Sequence, residues 1–114
     1  MTMNGLIALV GSGEYLPVMD DVDRFLLANC GAEGGRAPRV VCLPTAAGQE
    51  GEGSWRRWMR MGEEHFRRLG AEVTSLPIID RPSADKTKYL PVLEAADLIY
   101  FSGGNPTYLY ETLQ

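Results

Sequence analysis

Three glycine-bearing turns in this 114-residue chain have the makeup to do chemistry: Gly11-Ser12-Gly13-Glu14, Pro44-Thr45-Ala46-Ala47-Gly48 and Ser102-Gly103-Gly104-Asn105-Pro106. Each follows a short apolar run, and the third is the most informative. Gly103 and Gly104 permit backbone angles and close approaches that a Cβ forbids. Asn105 is a good N-cap, and Pro106 suits the first helical position. The result is a set of backbone N–H groups at the C-terminal end of a strand, beside the positive end of a helix dipole. Such a cradle holds an anion or a developing oxyanion. The same residues also make an ordinary strand-to-helix turn with no chemistry, and geometry alone leaves both readings open. Ser12, Glu14 and Thr45 join Gly103, Gly104 and Asn105 as candidate lining residues, because open α/β folds bind ligands at the carboxyl edge of the sheet.

Other constellations point elsewhere. The first turn does not complete a dinucleotide fingerprint: its third glycine would fall at Leu16, and no acid closes the next strand. Cys30 and Cys42 are too few and too irregularly placed for a disulfide framework or a zinc site. Cys42, inside an apolar strand, reads as a small buried hydrophobe. Asp20, Asp21 and Asp23 sit near a helix start, where the dipole favours acids, and need no metal to explain them. His65, the only histidine, falls at the border of an apolar helical stripe, with no Ser or Cys nucleophile turn for it to serve. It is expected to be a boundary residue. No metal and no cofactor is called for.

The elements that must position these turns follow from periodicity. Leu6–Val10 and Leu98–Phe101 read as buried strands, and Arg39–Leu43 and Glu72–Ile78 as the second and third strands between them. Pro17 opens a helix whose apolar positions are Val18, Val22, Phe25 and Leu26, with Asn29 a polar lapse, and Gly31 and the loop Glu33-Gly34-Gly35 end it. The polar, glycine-rich loop 48–53 is expected to be mobile. Ser54 is expected to cap an amphipathic helix carrying Trp55, Trp58, Met59, Gly62, Phe66 and Leu69 on one face and ending at Gly70. Its other face offers Arg60–Glu64, Glu63–Arg67 and Glu64–Arg68 as i,i+4 ion pairs. A weaker helix spans Ala84–Ala96, broken or restarted at Pro91. The alternation β-α-β-α-β-α-β-α implies an α/β fold: one domain with a parallel sheet, right-handed crossovers and helices on both faces.

Apolar residues make up 45% of the chain and charged residues 23%, which excludes disorder. The net charge of −4 is mixed along the sequence, so no nucleic-acid footprint is expected. No apolar run has the length of a membrane span, and no basic region precedes Leu6–Val10 as a signal peptide would require. A cytoplasmic protein is the expectation. The last helix is still open at Gln114, with Leu109 and Leu113 on a continuing apolar face. The chain is therefore expected to be the N-terminal part of a larger domain, or to associate as a homo-oligomer through that helix.

Taken together these residues resemble a family. Ala96-Asp97-Leu98-Ile99-Tyr100-Phe101-Ser102-Gly103-Gly104-Asn105 with Leu109 is similar to the A-[DE]-hydrophobic-G-G-N-x-x-x-L segment of the dipeptidase E and cyanophycinase serine peptidases. Gly11–Glu14, Leu43–Ala46 and the Phe66 to Val73 passage are similar too, in the right order. The resemblance implies a flavodoxin-like, class I glutamine amidotransferase-like sandwich that hydrolyses small acidic peptides. It also implies that Gly104 supplies an oxyanion-hole N–H. The family's nucleophile lies in a G-x-S-A-G elbow on the following strand, with its histidine beyond, and neither occurs in these residues. Ser102, which precedes the glycine pair, is not that serine. The resemblance therefore implies an oxyanion side without nucleophile or base, and a chain inactive by itself. A non-catalytic domain binding a small anion or metabolite is the alternative.

Overall fold

Val40, Val41, Cys42 and Leu43 are all buried, as a strand covered on both faces requires. They form the centre of a three-stranded parallel sheet in the computed structural model, which describes residues 5–114. Strand β1 (Arg39–Leu43) is flanked by β2 (Glu72–Ser75) on one side and β3 (Leu98–Phe101) on the other, giving the order β2-β1-β3. Val41 stands opposite Thr74 and Ile99, and Cys42 opposite Ser75 and Tyr100. Side chains alternate between the faces. Val40, Cys42 and Tyr100 pack with Phe66, Leu27 and Tyr15 on one side. Val41, Leu43, Leu76 and Ile78 pack with Val92, Leu93 and Tyr89 on the other. An α/β architecture with helices on both faces is thus present.

Helix α1 is Asp20–Ala28, α2 Glu52–Arg68, α3 Arg81–Ala84, α4 Leu90–Glu94 and α5 Pro106–Leu113. Several expectations need correction. Leu6–Val10 is not a strand: Ile7 and Leu9 are more than nine-tenths exposed, and no β-partner lies alongside. An apolar run becomes a strand only where it finds a ladder partner, and among the described residues the sheet accordingly has three strands, not four. Val18, Val22 and Phe25 of the first helical segment are exposed, whereas Asp23, Leu26 and Leu27 are buried. Polar ties to α2, described below, turn α1 away from its apolar stripe.

Residues 48–53 are not a loose loop. A 3₁₀ segment spans Thr45–Glu50, and α2 begins at once with Gly51 as its N-cap. Ser54 lies inside the helix, its hydroxyl donating to Glu50 Oε1 at 2.8 Å. The three expected ion pairs of α2 do not close. Arg56 instead meets Glu52 at 2.7 Å, and Arg68 leaves the helix to meet Asp20. The Ala84–Ala96 helix is resolved into α3, a 3₁₀ turn at Thr87–Tyr89 and α4, with Pro91 in the first turn of α4 as expected. Asp80 forms a capping box with Ser83 at the start of α3. Cys30 and Cys42 are free thiols, and burial pushes that of Cys42 up to about 12.

Asp97, just before β3, clamps the amino edge of the sheet. Both of its oxygens accept from the Arg36 guanidinium, at 2.7 and 2.9 Å, and Oδ2 also accepts from the Arg39 N–H at 2.8 Å. The Arg36 hydrogen bonds lower the carboxyl to about 2. A carboxyl depressed on folding stabilises the fold above its unfolded pKa near ~4 and loses that contribution as pH falls towards its folded value. Asp97→Asn is expected to cost about 1–2 kcal/mol at neutral pH, discounted for the partly exposed arginine. In urea titrations the deficit should shrink as pH is lowered from about 4 and vanish below about 2. A deficit independent of pH would contradict this.

Candidate functional site

The turns at the carboxyl edge meet. Ser102 N–H donates to Leu43 O at 3.2 Å, which continues the ladder one residue beyond β3. Asn105 N–H then donates to Ala46 O at 2.8 Å, and its side-chain Oδ1 caps α5 by accepting from Tyr108 N–H at 3.0 Å. The N-cap role expected of Asn105 is thus met, with Pro106 in the first turn. Gly104 has φ +153°, and a Cβ there would overlap the Ala46 carbonyl and stand 2.8 Å from Ala47 N. A glycine is needed for this turn to sit on the one after β1. Among the described residues, neither Gly103 N–H nor Gly104 N–H donates to a protein acceptor. Two free donors therefore stand at the N-terminus of an eight-residue helix.

A third connection closes against the same place. The Tyr108 hydroxyl donates to Ile79 O, in the segment between β2 and α3. A Cβ on Gly48 would overlap that carbonyl and lie 2.8 Å from the Tyr108 ring. Glu14 arrives from the N-terminal turn: its Oε2 would be 2.9 Å from a Cβ on Gly103. Its neighbour Tyr15 is a non-glycine residue in the left-handed region at φ +66°. The buried Tyr15 ring packs against Tyr100 with centroids 4.8 Å apart, and against Phe66 at 6.1 Å.

The candidate residues thus divide. Gly103, Gly104, Asn105 and Glu14 come together. Thr45 adjoins them in sequence at Ala46 but is fully buried, with its Oγ1 unpartnered. Ser12 is exposed and makes no hydrogen bond among the described residues. Ser102 is buried, its hydroxyl directed to Leu43 O at 3.5 Å, so it is no free nucleophile.

His65 is not a boundary residue, and Asp23 is more than a dipole partner. Both are buried, and His65 Nε2 lies 2.7 Å from Asp23 Oδ2. Beside them Arg68 makes two hydrogen bonds to Asp20, at 2.8 and 2.9 Å. Burial raises the Asp23 carboxyl, and the His65 hydrogen bond opposes that. The signal lay in spacing: Asp20 and Asp23 are three apart on α1, and His65 and Arg68 three apart on α2, so two matched pairs face each other. The pair bonds no residue of the cradle. Among the described residues no group of three or more His, Cys, Asp or Glu could hold a metal, and no helix is long and apolar enough to cross a membrane.

A parallel sheet whose carboxyl edge presents free backbone donors at a helix start has the means to hold a negative charge there. Comparison narrows the class: the model of peptidase family S51 matches residues 7–114, and the chain belongs to that family. The solved structure of a peptidase from an acI-B1 Actinobacterium is similar, at 41% identity and a TM-score of 0.83, over 91% of this chain and 42% of that one. The chain thus spans less than half the length of this relative. No curated protein matches.

Proposed function

We propose that these residues form the oxyanion side of a serine peptidase site for small acidic peptides, in a fold of the class I glutamine amidotransferase type. The observation that carries this reading is the Gly103–Gly104 turn, whose N–H groups are free and whose backbone is seated on Ala46. In that role Gly104 N–H donates to the carbonyl oxygen as it gains charge, and the helix dipole of α5 adds to it. Gly103 and Asn105 shape the cradle, and Glu14 stands beside it.

Glu14 favours a peptide over a simple anion. A carboxylate beside the cradle repels phosphate and attracts an ammonium. A substrate with an amino group near its scissile carbonyl satisfies both charges. The alternative, a domain that only binds a small anion, has the free donors in its favour and Glu14 against it.

The 114 residues hold no G-x-S-A-G elbow, and without a nucleophile covalent catalysis is lost. Purified chain incubated with aspartyl dipeptides is expected to show no hydrolysis above buffer. Titration with the same dipeptides should shift the amide resonances of residues 103–105, and inorganic phosphate should shift them less. Turnover by this chain would defeat the half-site reading, and a stronger response to phosphate would favour the anion-binding alternative.

A further inference from the structure

Tyr15 occupies a place where a tyrosine is costly. Leu16 N–H donates to Gly13 O at 3.0 Å, closing a four-residue turn whose third residue is Tyr15, at φ +66°. A left-handed residue in that position is ordinarily glycine or asparagine. Among the described residues Tyr15 is the one non-glycine residue with a positive φ. Across the core, α2 makes a second concession to the same ring. Gly62 lies inside that helix, which a glycine weakens. A Cβ there would stand 2.9 Å from Tyr15 Cζ, 3.0 Å from the hydroxyl oxygen and 2.9 Å from Cys42 Sγ. Tyr100, Trp58, His65 and Phe66 also pack around the ring, with centroids 4.8 to 6.1 Å away.

Strained residues of this kind persist only where the surroundings over-determine them, and they gather at functional sites. What is secured here is the residue before. From residue 5 to residue 22 Tyr15 alone is buried, so it is the anchor of that stretch in the core. Glu14, next to it, holds its Oε2 2.9 Å from where a Cβ of Gly103 would stand, beside the free donors of the cradle. We infer that Tyr15 is a positioning residue for Glu14: the clamped ring and left-handed backbone hold the carboxylate against Gly103. Without that hold the turn 13–16 relaxes and Glu14 leaves the cradle. The free N–H groups then lose the negative neighbour that sets them against simple anions. The consequence for ligand choice rests on the peptidase reading of the cradle; the hold on Glu14 does not.

The test reads the Gly103 amide resonance of the 114-residue chain. Glu14→Gln is expected to shift it, and to shift it equally in a Tyr15→Phe background, where the ring is kept. In Tyr15→Leu, which fills the core but gives up the ring contacts, the shift caused by Glu14→Gln should fall about threefold or more. Gly62→Ala, which drives the ring out from the opposite side while favouring the helix, should give the same result. It decides the matter if Tyr15→Leu does not fold, and slow exchange of the β1 amides shows in each variant that the core stays closed. In both variants an aspartyl dipeptide should bind about fivefold or more weakly than to the unaltered chain, and phosphate no more weakly. A full Glu14→Gln shift in folded Tyr15→Leu or Gly62→Ala would overturn the proposal, and so would no shift in the unaltered background. Loss of the shift in Tyr15→Phe would also overturn it, by assigning the hold to the hydroxyl. An unaltered chain that prefers phosphate would defeat the peptidase reading, while the Gly103 shift still decides the role of Tyr15.

Discussion

Gly104→Ala is expected to damage the carboxyl edge severely. At φ +153° an L-residue is strained by about 1–3 kcal/mol before any contact is considered. The new Cβ then meets the Ala46 carbonyl and Ala47 N, which are backbone and cannot rotate away. Overpacking of this kind adds about 1–3 kcal/mol, so a loss of roughly 3 kcal/mol or more is expected in urea denaturation. Gly103→Ala is the matched control. Its Cβ meets only the tip of the flexible Glu14 side chain, so stability should fall by under about 1 kcal/mol. In a longer protein with the nucleophile in place, displacing the Gly104 donor should lower kcat by about 10²–10³. Equal stability losses from the two alanines would mean that the turn is not seated on Ala46.

The second large effect belongs to Asp23 and His65. His65→Ala leaves Asp23 buried with neither oxygen paired, since Oδ1 has no partner already. Removing one member of a buried ionisable pair costs about 3–5 kcal/mol. Asp23→Ala should cost a similar amount, and the double variant should be less than additive by at least about 1 kcal/mol. Additive losses would show that the two side chains do not interact. The Asp20–Arg68 pair has Arg68 half exposed, and Arg68→Ala should cost far less than either buried change.

What the sequence revealed follows the distinction between local and tertiary causes. The Asn105 cap, Pro106 and the restart at Pro91 were legible because each rests on neighbours in the chain, whereas Leu98–Phe101 is the strand expected but is not covered on both faces, since Ile99 and Phe101 stand exposed at the sheet edge. The buried state of Cys42 was legible from the apolar run around it. The Leu6–Val10 strand failed because a strand depends on a partner as well as on composition. Helix α1 failed for a related reason. Its Val18-Val22-Phe25 stripe is a good local pattern, but the tie from Asp23 to His65, 42 residues away, decides which side faces inward. At the site, Gly103, Gly104 and Asn105 could be found from their types. The placement of Glu14 against Gly103 depends on Tyr15 adopting a left-handed backbone, which no spacing rule announces.

Tyr108 gives the cradle a property beyond its shape. Its hydroxyl holds the Ile79 carbonyl that Gly48 also abuts, while Asn105 holds Ala46 two residues before Gly48. The three turns are therefore interlocked and must loosen together rather than one at a time. Fluctuations of residues 46–48, 79 and 103–108 should form one cooperative opening unit in hydrogen exchange. A ligand arriving at Gly104 meets donors already ordered, so little of its binding energy is consumed in organising them.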